Sequence, residues 1–140
     1  MIVLDTDVIS ALMRPDLNSL VVDWMGRQEA DALRMTTISL HEIARGIEIA
    51  PTGKRKALVQ LGFDTLLQGS LGKGILKLDV AAARHSALAR VAAERATGYC
   101  EVPDERIAGI ALAHGAQVAT RNIDHFRHFG VPLINPWLTT

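Results

Sequence analysis

The chain reads as an α/β protein: a single domain over residues 1–140, with a parallel sheet flanked by helices. Two observations carry that reading. Short apolar strands alternate with helical segments from one end to the other, the pattern of a sheet covered on both faces. The first strand also runs straight into a carboxylate, Ile2-Val3-Leu4-Asp5-Thr6-Asp7, and ligand sites of such sheets lie just beyond the carboxyl ends of the strands.

Ile2 to Leu4 forms the first strand, followed by the helix-like spacing of Val8, Ile9 and Leu12 until Pro15 and Asn18 interrupt it. Leu20 to Met25 is a second amphipathic piece, and Leu33-Arg34-Met35 is strand-like. Ser39 opens a helix with the stripe Leu40, Ile43, Ala44, Ile47, closed by Pro51 and Gly53. Lys54 to Gln68 is helical and ends in the turn Gly69 to Gly74. Ile75 to Leu78 is expected as a strand, and Asp79 caps an alanine-rich helix to about Thr97. A helix from Pro103 to His114, the strand Gln117 to Ala119, a short helix Ile123 to His128 and the strand Pro132 to Ile134 complete the order.

Composition narrows the function. The 140 residues are 49% hydrophobic, enough for a real core. Lysine plus arginine and aspartate plus glutamate both count 15, so no global basic field announces nucleic acid, and a polyanion would need a local patch or metal ions. Cys100 is the only cysteine, which removes an intramolecular disulfide and a thiolate zinc cluster. No stretch approaches the ~18 apolar residues of a membrane helix, and no basic leader precedes Ile2; the expected compartment is the cytoplasm.

The acids carry the chemistry. Asp5 and Asp7 both suit the N-cap of the helix at Val8, but one cap suffices, which frees Asp5 for the strand-end site. Glu42 has two readings: the glutamate of the capping box Ser39-Leu40-His41-Glu42, or a cleft residue opposite the apolar stripe. Asp104 stands one turn before Ile107 and Ala108, in line with Ala111, so it points along a buried face; an inward carboxylate calls for a cation. In Asn122-Ile123-Asp124 one residue caps the short helix and the other, Asn122 by preference, joins the site. Convergence of these side chains would make a metal site.

These segments together resemble the PIN-domain ribonucleases, specifically the VapC-type toxins of toxin–antitoxin pairs, in their plasmid-stability or trafficking B-protein branch. The resemblance covers essentially the whole chain. It rests on Ile2 to Ser10, where relatives usually carry Asp-Thr-Asn; on Thr37 to Gly46; on Pro103 to Ala111; on Val118 to Phe126; and on Ile134-Asn135-Pro136-Trp137.

The resemblance implies that Asp5, Glu42 and Asp104 hold Mg²⁺ or Mn²⁺. The family's fourth acidic position is Asn122 here, and Asp7 stands where asparagine is usual and could restore that charge. Hard oxygen ligands suit these ions, which can activate water and stabilise a phosphodiester under attack. Asp5 and Asp104 are expected as direct ligands, with Glu42 as ligand or as the base that orients the water. Thr120 offers a hydroxyl at the rim, and Arg121, Arg45 and Lys54-Arg55-Lys56 are candidates for phosphate contact, although most such charges are simply solvated. The five histidines share no metal-ligand spacing. The expected partners are RNA as substrate and a cognate antitoxin, a small DNA-binding protein whose carboxyl-terminal segment covers the acidic pocket, within a homodimer or larger assembly. Asp5-Thr6-Asp7-Val8 also fits a haloacid-dehalogenase-type phosphatase, whose later lysine and distal acidic pair Lys77 and the lone Asp79 imitate poorly, or a receiver domain, whose expected lysine near the last strand is missing; a non-catalytic RNA- or partner-binding module is the further alternative.

Overall fold

The computed structural model describes residues 1–100 and 103–138. Four parallel strands, β1 (Ile2–Leu4), β2 (Leu33–Arg34), β3 (Gln117–Ala119) and β4 (Leu133–Ile134), lie in the order β2-β1-β3-β4. Ile2 pairs with Leu33 on one side and Gln117 on the other, Leu4 pairs with Ala119, and Ala119 pairs with Ile134.

Strand side chains alternate between faces, and here each set has its own core. Ile2, Leu4 and Ala119 pack with Val8 and Ile9 of α1 (Thr6–Leu12), Val21 and Trp24 of α2 (Ser19–Gly26), Ile43 and Ile47 of α3 (Thr37–Ile49), Phe63 of α4 (Lys54–Gln68) and Leu71 of α5 (Ser70–Lys73). Val3 and Val118 pack with Ala89 and Ala93 of α6 (Val80–Thr97), Ile107, Ala108 and Ala111 of α7 (Asp104–Ala113) and Phe126 of α8 (Ile123–Phe126). The expected doubly covered parallel sheet is therefore formed.

Helix α7 is drawn close to α6 by a small-residue seam. A Cβ added at Gly109 would sit 2.6 Å from the Cβ and backbone N of Ser86 and 2.7 Å from the carbonyl oxygen of Ala82. Only glycine permits that approach, which fixes α7 and hence the residue at its amino end, Asp104.

Several boundaries differ from the expectation. Ile75–Leu78 is not a strand; it contributes one parallel bridge, Thr36 with Leu76, in which Leu76 N–H donates to the Met35 carbonyl and Thr37 N–H to that of Leu76. The backbone beside it turns into α3 at Thr37, so no extended partner is left to pair with. Ser39 does not open α3: Thr36 is the cap, its hydroxyl accepting the Ser39 N–H at 3.2 Å. Helix α1 begins at Thr6, α8 ends at Phe126, and the glycine-rich run 69–74 contains the single turn α5.

Candidate active site

The register of β1 on β3 builds the site. Leu4 faces Ala119, so the residues that follow, Asp5 and Thr120, emerge side by side at the carboxyl edge of the sheet. Asp5 N–H donates to the Ala119 carbonyl at 2.9 Å, which extends the strand pairing by one residue. Its side chain caps α1, Oδ1 accepting Thr6 N–H at 2.7 Å, while Oδ2 accepts the Thr120 hydroxyl at 2.8 Å. The capping and site readings of Asp5 thus hold together in one residue, only 4% exposed.

Asp7, in the first turn of α1, reaches across to the loop after β3. Its Oδ2 accepts the Arg121 N–H at 3.3 Å and the Asn122 amide Nδ2 at 3.2 Å. Its Oδ1 is buried and has no hydrogen-bond partner. Asn122 therefore turns its amide to Asp7 and makes no side-chain cap on α8, although it occupies the cap position. Asp124 points away, 86% exposed and 3.4 Å from Arg127.

Glu42 is joined to the same edge through hydroxyls. The Thr6 Oγ1 donates to Glu42 Oε1 at 2.9 Å and lies 2.9 Å from the buried Ser39 Oγ, whose proton it can accept. With Thr36 as the cap, the capping box is not made, and Glu42 faces α1. Asp104, the first residue of α7, has a side chain 14% exposed and accepts from or pairs with His125 Nδ1 at 3.1 Å. His125 could not be found from the sequence, because nothing local links it to an acid 21 positions away.

Electrostatics tie Asp5, Asp7 and Asp104 together. Burial pushes the Asp5 carboxyl up to about 8, reinforced by the charges of Asp7 and Asp104 and opposed by the hydrogen bonds from Thr120 and Thr6. Asp7 is also raised by burial, with its hydrogen bonds acting in the opposite direction. Among the described residues neither Asp5 nor Asp7 forms a salt bridge with a lysine or arginine.

This donor set fits a hard divalent cation. Desolvated carboxylates facing one another need a proton or a cation between them, and one buried oxygen, Asp7 Oδ1, is left without a partner. Among the described residues no group of three or more acidic, histidine or cysteine side chains is placed to hold a metal ion. Mg²⁺ does not require one, since it keeps several waters and binds through one or two carboxylates plus substrate phosphate.

Two clefts meet at Glu42. A groove of about 770 Å³ runs from Thr6 and Glu42 over Ile43, Ile47 and Val59 to Lys54 and Arg55. A smaller cleft of about 550 Å³ on the other side is lined by His41, Glu42, Arg45, Pro103 and Arg106. Lys56 is occupied elsewhere, its Nζ donating to the Glu48 and Ala50 carbonyls at the end of α3. Arg121 stacks its guanidinium 4.5 Å from the ring centre of Trp137, which is half-buried against the core as expected of a tucked indole. A second buried acid that the pattern did not reveal, Glu105, sits away from this edge with Arg90 at 3.2 Å and the Cys100 thiol at 3.6 Å. Burial and Glu105 push that thiol up to about 11, so Cys100 is held protonated.

A parallel sheet whose strand ends collect buried carboxylates beside a paired glutamate and threonine defines a small α/β domain with an acidic site at the sheet edge. The PIN domain model matches residues 2–131, and the chain belongs to the PIN domain family. It is 37% identical to the plasmid stability protein StbB of Pseudomonas syringae pv. tomato over 98% of this chain and 99% of that protein. It is 34% identical to the VapC ribonuclease Y4jK of Sinorhizobium fredii, with 98% of each chain covered. Among solved structures, it superposes on a chain of FitAB bound to an IR36 DNA fragment with a TM-score of 0.89 at 30% identity, covering 100% of this chain and 98% of that one.

Proposed function

We propose that this protein is a metal-dependent endoribonuclease that acts as the toxin of a toxin–antitoxin pair and is inhibited by a cognate antitoxin. The observation that carries the reading is the pair of desolvated carboxylates, Asp5 and Asp7, beside Asp104 at the carboxyl edge of β1 and β3. Membership of the PIN family, with a VapC ribonuclease among its relatives, supports RNA as the substrate.

In this reading Asp5 and Asp104 hold Mg²⁺ or Mn²⁺, with Glu42 as ligand or base and Asn122 at the rim. A bound ion supplies a Lewis acid for the scissile phosphodiester and a water of lowered pKa. The protein's own part is pre-organisation. Thr6 N–H and the Thr120 hydroxyl each occupy one lone pair of Asp5, fixing its orientation before substrate arrives. The Thr6 hydroxyl holds Glu42 by Oε1 and leaves Oε2 to orient the attacking water or take its proton. In the cleft beside Glu42, Arg45 and Arg106 suit the phosphates of an RNA strand.

The larger groove suits the antitoxin. Its floor of Met13, Ile43, Ile47 and Val59 offers apolar contact to a carboxyl-terminal segment, and its end at Glu42 lets that segment present a cation to the acidic pocket. FitAB bound to DNA is a precedent for a larger assembly. An RNA substrate and a DNA-binding partner suit a cytoplasmic protein; among the described residues no helix is long and apolar enough to cross a membrane. Nothing in the site favours the phosphatase or the receiver domain: Asp79 is spent capping α6, its Oδ1 accepting Ala82 N–H at 2.9 Å, and Lys77 is exposed on the segment before it.

Incubation of the antitoxin-free protein with RNA tests the reading. Cleavage with Mg²⁺ or Mn²⁺ and none in EDTA is expected, with loss of cleavage in Asp5→Asn and Asp104→Asn proteins whose circular dichroism is unchanged. Metal-independent cleavage, or full activity in either variant, would reject it.

A further inference from the structure

We propose that the outward face of α6 is a docking surface for an acidic amphipathic helix of a partner protein. The inference stands apart from the ribonuclease reading, because none of the residues it uses lines either cleft at Glu42.

Helix α6 has one side that the fold covers and one that it leaves open. It buries Ala82, Ser86, Ala89 and Ala93. At about 100° per residue, the stripe Ala81, Arg84, Leu88, Val91 and Arg95 lies on the opposite side. All five are exposed, Leu88 by 68% and Val91 by 42%, and Val80 adds to them at the start of the helix. Their spacing alternates three and four residues, which is the seam of a helix that packs against a second helix. A helix face that meets only water ordinarily carries charged and polar residues. This one has aliphatic side chains at its centre and a cation one turn beyond them on either side.

The arginines give the sign of the partner. Glu94 is the only acid within α6, and it is taken by Arg90, whose Nε donates to Glu94 Oε1 at 2.7 Å and whose Nη1 donates to Glu105 at 3.2 Å. Among the described residues Arg84 and Arg95 form no salt bridge. They stand about 16 Å apart along the helix axis, so a helix with a carboxylate at each end of an apolar stripe would match both at once.

Other occupants fit less well. If two copies of α6 crossed between Leu88 and Val91, the Arg84 of each copy would face the Arg95 of the other in an antiparallel pair, and each arginine would face its own counterpart in a parallel one; like charges at a seam oppose both. A nucleic-acid backbone offers phosphates to the arginines but no apolar surface to Leu88 and Val91.

Fluorescence anisotropy with the full chain and two labelled, helix-forming peptides tests this. One peptide carries two leucines three positions apart with a glutamate four positions outside each; the other has lysine in place of each glutamate. The glutamate peptide should bind saturably and about tenfold or more tightly than the lysine peptide. Leu88→Gln with Val91→Gln should weaken that binding by about tenfold or more, and Arg84→Glu with Arg95→Glu should reverse the preference between the peptides. Circular dichroism and thermal unfolding check that each variant folds; if the first does not, the charge reversal decides alone. No saturable binding of the glutamate peptide, equal affinity for both peptides, or an affinity that a folded double variant leaves unmoved overturns the proposal. So does self-association in analytical ultracentrifugation that Leu88→Gln with Val91→Gln abolishes, which assigns the face to a second copy. Co-sedimentation with phosphatidylglycerol vesicles that is lost in the same variant, with the peptide left unbound, overturns it in favour of a membrane surface.

Discussion

Removing the charge of Asp5 should stabilise the metal-free protein, although it destroys the site. Asp5 has an ordinary value of 3.8 and is pushed up to about 8 in the fold by burial and by the charges of Asp7 and Asp104. Between those values the folded state holds a proton that the unfolded state has released, so stability falls as pH rises and levels off above the folded value. At ~1.4 kcal/mol per pKa unit, the interval from pH 5 to pH 8 is worth about 4 kcal/mol. For a domain of this size that is a fall in Tm of about 10–15 °C.

The assay is thermal unfolding in EDTA from pH 5 to 9, on the natural protein and on Asp5→Asn. Asparagine keeps an acceptor for Thr6 N–H and a polar partner for Thr120 but carries no charge, so it reports the protonated state at every pH. The variant should already be the more stable by about 1.6 kcal/mol at pH 5, where the unfolded carboxyl is ionised, and by about 5 kcal/mol at pH 8. Mg²⁺ or Mn²⁺ at about a hundred times its Kd should return ~2.7 kcal/mol to the natural protein at pH 8 and little to the variant. A natural protein no less stable at pH 8 than Asp5→Asn would refute the claim that this carboxylate is desolvated beside like charges.

Gly109→Ala places a methyl 2.6 Å from Ser86, so α6 and α7 must part; a loss of about 1–3 kcal/mol or more in chemical denaturation is expected, with RNA cleavage reduced through Asp104. Arg45→Gln with Arg106→Gln should weaken binding of a short oligoribonucleotide, measured by fluorescence anisotropy in EDTA, by about tenfold, and lower the slope of log Kd against log salt by about 0.7 for each phosphate that is no longer neutralised. Thr6→Val removes the hydroxyl that holds Glu42 and should lower kcat by about tenfold or more with KM little changed, read in steady-state RNA cleavage.

Much of this fold was legible because its strands are short, apolar and separated by strongly periodic helices. Asp5 was legible for the same reason: a strand that ends in a carboxylate is a local signal. Glu42 was not, since Thr36 and Ser39 are both competent caps three residues apart. What decides between them is the long-range bond from Thr37 N–H to Leu76, which starts the helix early and leaves Ser39 buried inside its first turn. The expected strand at Ile75–Leu78 failed for a complementary reason: its residues have strand character, but the chain beside it had already turned into α3. His125 against Asp104 and Glu105 against Arg90 are pairs between helices, and helical periodicity gives each residue a face without naming the partner.

The contact between Asp7 and Asn122 shows how register becomes chemistry. Pairing of Leu4 with Ala119 sets Asp5 beside Thr120, and two further residues along each connection bring position 7 to position 122. Because both strands are parallel and the chain turns into a helix directly after β1, these two offsets run in the same direction and meet over the sheet edge. A slip of one residue between β1 and β3 would move every strand side chain to the wrong face and also separate Asp5 from its threonine. The same register that keeps Val3 and Val118 in one core and Leu4 and Ala119 in the other therefore fixes which oxygens meet at the sheet edge.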